Sequence, residues 1–268
     1  MRQTSHVLPL ARLSSSPRAV ILTAGRSAEL GRATADRPAS LVEVRGDTLI
    51  RRQKAALRRA GVWRIGAVVG WRTDGFHGTD LTLFENPLWA STTSLDSLAV
   101  ADDWLRRATV VVQFGNVVCS AETIRRLCAA PGPLAVAFDP HWRALWARRR
   151  DDPRSDADPV VLDRSRRYVA RMGGRPGDGP VAQGQWLRLV KLTPASWQVL
   201  RRMRDTGQTE GLGVGDALAR LVRSRSVPVT AVPSAGPWFP FDNPTDLEVG
   251  RDVMDELDGS AAAGSRSA

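Results

Sequence analysis

Residues 19–41 constrain the fold more strongly than any other segment of this 268-residue chain. An apolar run over residues 20–24 ends at Gly25, a segment rich in turn-forming residues follows, and apolar character returns at Leu41. This pattern predicts a buried strand that leads into a loop whose backbone amides can face an anion. We therefore expect a phosphate-binding loop directly after the first strand.

Short apolar runs alternate with amphipathic helical segments along the rest of the chain, which indicates an α/β fold. Such an alternation is typical of a mainly parallel central sheet with helices on both faces. Beyond Asp139 the elements become shorter and predict a small antiparallel extension over the sheet. Ligands of such sheets bind at the carboxyl ends of the strands. The predicted strands cover residues 64–70, 81–86, 109–114, 134–138, 159–164, 167–172, 185–192 and 228–233, and helices are predicted from Asp47, over residues 94–107, near Ser120 and near Asn243.

The chain is long enough for one large domain, which we place at residues 19–256. Residues 1–18 are predicted to be a flexible segment, and residues 257–268 a disordered tail because they lack large apolar side chains. No run approaches the roughly 18 apolar residues of a membrane span, and the first residues make a poor secretory signal. We therefore expect a cytoplasmic protein with no membrane partner.

Arginine carries almost all of the formal net charge of +10, because the chain has only two lysines, Lys54 and Lys191. Most arginine pairs fall on predicted helices, where a solvated face is the ordinary interpretation. The same charge would suit nucleic-acid phosphates, but no nucleic-acid-binding module accompanies it, so nucleic acid is not an expected partner. The two cysteines and three histidines lack metal-ligand spacing, and we expect free, partly buried thiols.

The loop after the first strand resembles the opening signature of the sugar-phosphate nucleotidyltransferases. The matching residues are Leu22, Ala24, Gly25, Leu30, Thr34, Pro38 and Leu41. Four further segments resemble the same superfamily in the same order, residues 85–98, 114–118, 183–197 and 237–248, and the first of them is similar to the phosphocholine cytidylyltransferase branch. The resemblance implies a Rossmann-like nucleotidyltransferase domain.

The resemblance also implies a reaction, the attack of an acceptor phosphate or phosphonate oxygen on the α-phosphorus of a nucleoside triphosphate, with release of pyrophosphate. Two aspartates of the family hold magnesium, and Asn116 and Asp242 stand at their positions. Because an amide oxygen is neutral and magnesium prefers anionic oxygens, we expect a weakened Mg²⁺ site. The family's loop arginine and lysine, which contact phosphates, are replaced by Glu29 and Ala39.

Other loop arginines are candidates to restore the lost phosphate contacts. Arg26 and Arg32 lie in the same loop, and arginine can bind phosphate through two parallel hydrogen bonds. We therefore assign them the catalytic phosphate contacts, against the alternative of an ordinary solvated loop.

The resemblance further assigns residues to the two ligands. The nucleotide-binding candidates are Thr23, Ala24, Gly25, Ser27, Thr92 and Ser94, and the acceptor-binding candidates are Trp89, Trp142, Trp186 and Lys191. Tryptophans can bind a quaternary ammonium through cation–π attraction, yet large aromatics at strand and helix spacing are ordinarily core residues. The hydroxyl residues have the alternative of a capped loop before a helix.

Two functions follow from these observations. The first is a nucleotidyltransferase that transfers a nucleotidyl group, with CTP the favoured donor, to a small phosphorylated alcohol, phosphonate or sugar phosphate. The alternative is a catalytically impaired protein that binds a nucleotide or metabolite and has a regulatory or scaffold role.

Overall fold

The computed structural model describes residues 16–149, 157–174 and 181–264. Its strands are β1 (Arg18–Leu22), β2 (Glu43–Val44), β3 (Asp47–Thr48), β4 (Arg64–Val69), β5 (Thr82–Glu85), β6 (Val110–Phe114), β7 (Val117–Cys119), β8 (Leu134–Asp139), β9 (Pro159–Leu162), β10 (Val169–Met172), β11 (Gly184–Leu192), β12 (Val229–Pro233) and β13 (Trp238–Pro240). Its helices are α1 (Leu49–Arg59), α2 (Ser94–Ala99), α3 (Asp102–Arg107), α4 (Ala121–Ala129), α5 (Trp142–Arg149), α6 (Pro194–Asp205), α7 (Val214–Ser224) and α8 (Asp246–Gly264).

One mixed sheet forms the centre of the fold. Its order is β10-β9-β11-β6-β1-β4-β5, and β8 pairs with both β11 and β12. β1 lies between β4 and β6 and is parallel to both, while β11 is antiparallel to β6, β8 and β9. The predicted fold class, a parallel core with an antiparallel extension, is confirmed.

Alternate residues of β1 face opposite sides of the sheet and enter two hydrophobic cores. Val20 and Leu22 pack with α2, α3, α6 and α7, whereas Ala19 and Ile21 pack with α1, α4 and α5. Burial on both faces explains why β1 is apolar from Ala19 to Leu22, since each fully buried large aliphatic side chain stabilises the fold by roughly 1.5–3 kcal/mol. The strand is therefore a rigid base for the loop that follows it.

A third core fixes that loop and α8 together. Leu30 of the loop packs with Phe239, Phe241 and Met254. Because Phe241 immediately precedes Asp242, this packing also fixes the position of that carboxylate.

Two predicted helices differ from the sequence expectation. The first helix is capped by Thr48 rather than Asp47, since the Thr48 hydroxyl accepts from the Arg51 amide at 3.4 Å while Asp47 pairs in a short hairpin. The single helix expected over residues 94–107 is two helices, which are separated at the non-helical Ala101.

The first strand and the last helix also extend beyond the expected domain limits. Residues 1–15 and 265–268 lie outside the described residues, β1 begins one residue before the expected domain, and α8 continues to Gly264. Leu257 is buried in the third core, which explains why the helix continues past residue 256. Among the described helices, none combines the length and apolar character that a membrane crossing needs.

Candidate active site

A cavity of about 680 Å³ lies at the carboxyl ends of β1 and β6. Its walls come from the loop after β1, the segment before α2, the turn after β6, one residue of β11 and the turn before α8. Parallel strands direct their following loops to this edge of the sheet, which is where α/β proteins bind ligands.

The loop after β1 starts in a fixed position because both neighbouring strands bond to it. The Thr23 amide donates to Val68 O at 3.0 Å, and the Gly115 amide donates to Leu22 O at 2.8 Å. Gly115 permits this close approach, since a Cβ there would lie 2.9 Å from the Thr23 Cβ. The Thr23 hydroxyl is bonded to Ser40 Oγ at 2.6 Å.

The loop then makes a strained turn at the cavity. Ser27 adopts a left-handed conformation, with φ 54° and ψ 54°, before the 3-10 turn Ala28–Thr34. Backbone strain of this kind persists only where surrounding contacts hold it, and here Thr34 Oγ1 donates to Ser27 O at 2.8 Å. At Gly25 an added Cβ would meet nothing within 4 Å, so the loop backbone there is open to a ligand.

The hydroxyl-rich wall of the cavity is held by a buried amide. Asn86 Nδ2 donates to Thr92 Oγ1 at 2.9 Å and to Ser97 Oγ at 3.0 Å. Thr93 caps α2 through a capping box, and Ser94 Oγ accepts from the Val214 amide at 2.9 Å. These bonds orient several hydroxyl groups at one side of the cavity.

The opposite side carries a carboxylate, Asp242, that is surrounded by donors. Its Oδ1 accepts from Asn116 Nδ2 at 2.8 Å and from Arg188 Nη1 at 2.5 Å. Its Oδ2 accepts from Arg149 Nη2 at 3.1 Å. The Asn116 amide nitrogen also donates to Phe241 O at 3.2 Å.

A fully buried ion pair supports this carboxylate from behind. Arg149 donates to Asp246 through Nε at 2.9 Å and Nη2 at 2.8 Å, and both side chains have no exposed surface. Asp246 in turn accepts from the Asp242 amide at 2.8 Å and the Asn243 amide at 3.1 Å. The pair therefore fixes the turn from which Asp242 projects.

Arg188 is the cation that lines the cavity among the described residues. Its φ of 53° is left-handed, and the pairing of β11 with β8 shifts register between Trp186 and Val190. Such a bulge re-aims a side chain. Burial by itself lowers the pKa of the Arg188 guanidinium, but the carboxylates of Asp242 and Asp158 outweigh burial and hold that pKa above its ordinary value.

The geometry of this cavity agrees with the comparison to protein families. The sequence model of the MobA-like NTP transferase domain matches residues 19–172, more than half of the chain. The chain belongs to the MobA-like NTP transferase family.

Relatives of this MobA-like chain include known cytidylyltransferases. The CTP:phosphoglutamine cytidylyltransferase of Campylobacter jejuni is 24% identical over 250 residues, which cover 86% of this chain and 98% of that protein. The structure of the inositol-1-phosphate CTP transferase from T. maritima superposes with a TM-score of 0.69 at 16% identity, over 90% of this chain and 95% of that one. The CTP:phosphocholine cytidylyltransferase of Streptococcus pneumoniae gives a TM-score of 0.65 at 14% identity, over 89% of this chain and 99% of that one.

Most residues that the sequence assigned to a ligand lie together in the cavity of this MobA-like domain. The residues in this group are Thr23, Ala24, Gly25, Ser27, Trp89, Thr92, Ser94, Asn116 and Asp242. Their individual roles stay predictions. Arg188 also lines the cavity and was missed, because its direction depends on a local shift of register in β11. The one signal in the sequence was a charged residue between Leu187 and Leu189.

The two arginines assigned to phosphate contact do not line the cavity. Arg26 is exposed, and its guanidinium lies 5.4 Å from the centre of the Trp71 ring. Arg32 is exposed on the 3-10 turn, next to Gly31 with its φ of 60°. The loop turns these side chains outward, so the structure places neither where the prediction needs it.

Three of the residues assigned to the acceptor also lie outside the cavity lining. Trp142 is a core residue packed edge-on against Trp146, with ring centres 6.0 Å apart. Trp186 is buried and packs edge-on against Phe114, which does line the cavity, at 5.8 Å.

Lys191 is buried, and its ammonium donates to Ala130 O. Because β11 runs antiparallel to β6, Lys191 lies three residues beyond Arg188, roughly 10 Å further from the cavity end of β6. Burial lowers the pKa of its ammonium.

The residues expected to hold magnesium do not fit a resident ion. The nitrogen of the Asn116 amide, rather than its oxygen, faces Asp242, and both Asp242 oxygens are bonded to guanidinium groups. Magnesium needs several oxygen ligands, preferably anionic. Among the described residues, no three His, Cys, Asp or Glu side chains converge in a metal-binding group.

Proposed function

We propose that this protein transfers a cytidylyl group from CTP to the phosphate of a small phosphorylated acceptor. In that reaction an acceptor phosphate oxygen forms a bond to the α-phosphorus, the bond from that phosphorus to the bridging oxygen breaks, and pyrophosphate leaves. The observation that carries the proposal is the convergence of the Gly25 loop, Arg188 and Asp242 on one cavity at the carboxyl ends of β1 and β6.

The cavity offers groups that suit each part of a nucleotide. The open backbone at Gly25 and the turn at Ser27 suit phosphate oxygens, because successive backbone amides at such a turn can bind anions. The hydroxyls of Thr92 and Ser94 suit a ribose or a base edge. Arg188 supplies the positive charge that a transferring phosphoryl group requires.

Apolar surface in the same cavity suits a base or the carbon skeleton of an acceptor. Trp89, Phe114 and Phe241 all line it. Binding sites for small molecules usually combine such apolar walls with a few placed polar groups.

The choice of CTP and of a phosphorylated acceptor rests on the relatives. The proteins named above are a CTP:phosphoglutamine cytidylyltransferase, an inositol-1-phosphate CTP transferase and a CTP:phosphocholine cytidylyltransferase. Their acceptors share a phosphate and differ in the attached group, so the phosphate is the feature we carry over. No comparison favours a protein that only binds nucleotide.

A pyrophosphate-release assay tests the proposal. The four common nucleoside triphosphates are each combined with phosphocholine, inositol-1-phosphate and a phosphorylated amide such as phosphoglutamine, and products are identified by mass spectrometry. We expect release with CTP and at least one acceptor, and loss of that release in Asp242→Ala. An exposed-loop variant, Arg37→Ala, serves as the control, because Arg37 pairs with neighbouring Asp36 at 2.9 Å. Turnover only with another triphosphate, or none with any pair, would contradict the assignment.

A further inference from the structure

We propose that Arg188 takes the charge-neutralising place of a metal ion in this site, so that nucleotide binding does not require magnesium. The inference rests on the proposed function and concerns the same cavity. It follows from the failure of residues 116 and 242 to form a magnesium site and from the position of Arg188 beside them.

The orientation of the Asn116 amide argues against a metal ligand. Its nitrogen lies within hydrogen-bond distance of two acceptors, Asp242 Oδ1 at 2.8 Å and Phe241 O at 3.2 Å. A flipped amide would place its oxygen against both acceptors, and neither contact would then be a hydrogen bond. The amide oxygen is therefore directed away from the Asp242 carboxylate, and the two side chains do not present a pair of oxygens to one cation.

The bonds of Asp242 argue the same way. Each of its oxygens accepts from a guanidinium, Arg188 on one and Arg149 on the other. A divalent cation at this carboxylate would lie close to two positive charges, which would repel it. Since Arg149 is fully buried and bonded twice to Asp246, its displacement would break a buried ion pair.

Arg188 keeps bonding capacity for a phosphate while it holds Asp242. Its Nη1 donates to Asp242 and its Nε donates to Asp158 at 3.1 Å, whereas its Nη2 has no bond to any residue the structure describes. A guanidinium has five N–H donors in one plane, so it can bind a carboxylate and a phosphate at once. The side chain is 21% exposed and lines the cavity.

The two carboxylates also fix the guanidinium before any ligand arrives. Two of the three guanidinium nitrogens, Nε and Nη1, donate to carboxylates, and the bulge sets the direction of the side chain. A phosphate that binds Arg188 therefore loses little affinity to the ordering of this side chain.

Calorimetric titrations with CTP and CMP, each with excess EDTA or with magnesium, test the inference. CMP isolates the α-phosphate, because CTP can carry magnesium on its outer phosphates. We expect wild-type affinities that differ by less than about threefold between the two conditions. We expect Arg188→Met to weaken both nucleotides about tenfold or more in either condition, the value of one charge-assisted hydrogen bond.

Three further variants make the test specific. Arg188→Lys keeps the charge without the planar donors and should bind with intermediate affinity. Arg26→Ala and Arg32→Ala remove exposed loop arginines and should bind like the wild type. Asn116→Asp adds a second carboxylate and should make CTP binding depend on magnesium, and thermal melting checks that every variant is folded.

The outcomes separate this inference from the proposed function. Wild-type CMP and CTP binding that falls tenfold or more in EDTA overturns the inference and leaves a nucleotide site. Wild-type affinity in Arg188→Met overturns it as well. Wild-type protein that binds no nucleotide in either condition overturns the proposed function itself.

Discussion

Replacement of Arg149 by methionine should strongly destabilise the fold, because it leaves the Asp246 carboxylate buried without its charge partner. The wild-type contacts are two bonds to Asp246 and one to Asp242, all at 3.1 Å or less. Methionine keeps much of the side-chain volume, so the change removes charge and hydrogen bonds more than packing. Removal of one partner of a buried pair typically costs about 3–5 kcal/mol.

A second contribution comes from the aromatic rings around Arg149. Its guanidinium lies 4.4 Å from the centre of the Trp146 ring, and a desolvated cation–π contact contributes roughly 2 kcal/mol. Since these contributions overlap, we take about 3–5 kcal/mol for the whole change. For a domain of this size each kcal/mol corresponds to roughly 2–4 °C, which predicts a fall in Tm of about 6–20 °C.

The neighbouring residue provides a matched control. Arg148 pairs with Asp252 at 2.8 Å, but its side chain is 46% exposed and that of Asp252 is 69% exposed. Exposed pairs contribute about 0–1 kcal/mol, so Arg148→Met should change Tm by only a few degrees. Thermal melting by circular dichroism and urea unfolding by tryptophan fluorescence measure both variants. Equal stabilities for the two variants would refute the reasoning.

Four further predictions concern single residues. Gly25→Val should melt like the wild type, since an added Cβ meets nothing within 4 Å, but its side chain should weaken CTP binding roughly tenfold in a calorimetric titration. Glu29→Gln should strengthen CTP binding roughly fivefold by removing about 1 kcal/mol of repulsion, and a larger gain for CMP than for CTP would contradict this. Hydrogen bonds from Lys54 and Arg58 lower the pKa of the Asp80 carboxyl from 3.8 to about 2. The contribution of Asp80 to stability is therefore present above pH 4 and lost as the pH falls towards 2. In Asp80→Asn, the free energy of unfolding should depend less on pH between pH 4 and pH 2 than in the wild type. Burial raises the pKa of Cys119 to about 12, so a thiol reagent at pH 8 should label it far more slowly in native protein than in urea.

The sequence predicted the fold well because its signal is local. Residues 20–22 are apolar on successive positions, as is typical of a strand buried on both faces, and the structure buries all three. The strand β6 and the helix cap at Ser120 were predicted from local sequence in the same way. Helix ends were less predictable, since the choice between Asp47 and Thr48 as a cap depends on the hairpin that occupies Asp47.

The sequence predicted the part of the site that follows from the order of segments along the chain. Asn116 and Asp242 lie 126 residues apart in the chain and meet at 2.8 Å. Asn116 lies between β6 and β7, and Asp242 follows β13, which pairs with β7 in a separate two-stranded sheet. The direction of side chains in β11 was not predictable. Lys191 was predicted to bind the acceptor, but β11 is antiparallel to β6 and carries Lys191 away from the cavity. Arg188 reaches the cavity at a local irregularity of the same strand.

The charges of the cavity impose a direction on any ligand. Glu29 lines it from the loop after β1, whereas Arg188 lines it from β11, and no other cation lines it among the described residues. Electrostatic attraction favours a phosphate near Arg188, whereas a neutral or cationic group fits best near Glu29. Because Asp242 and Asp158 hold Arg188 in place, the guanidinium cannot follow a ligand towards the loop. Under the proposed function, we therefore expect a nucleotide to be held through the phosphate nearest Arg188. We also expect discrimination between donors to depend more on the hydroxyl-rich wall around Thr92 than on the number of phosphates.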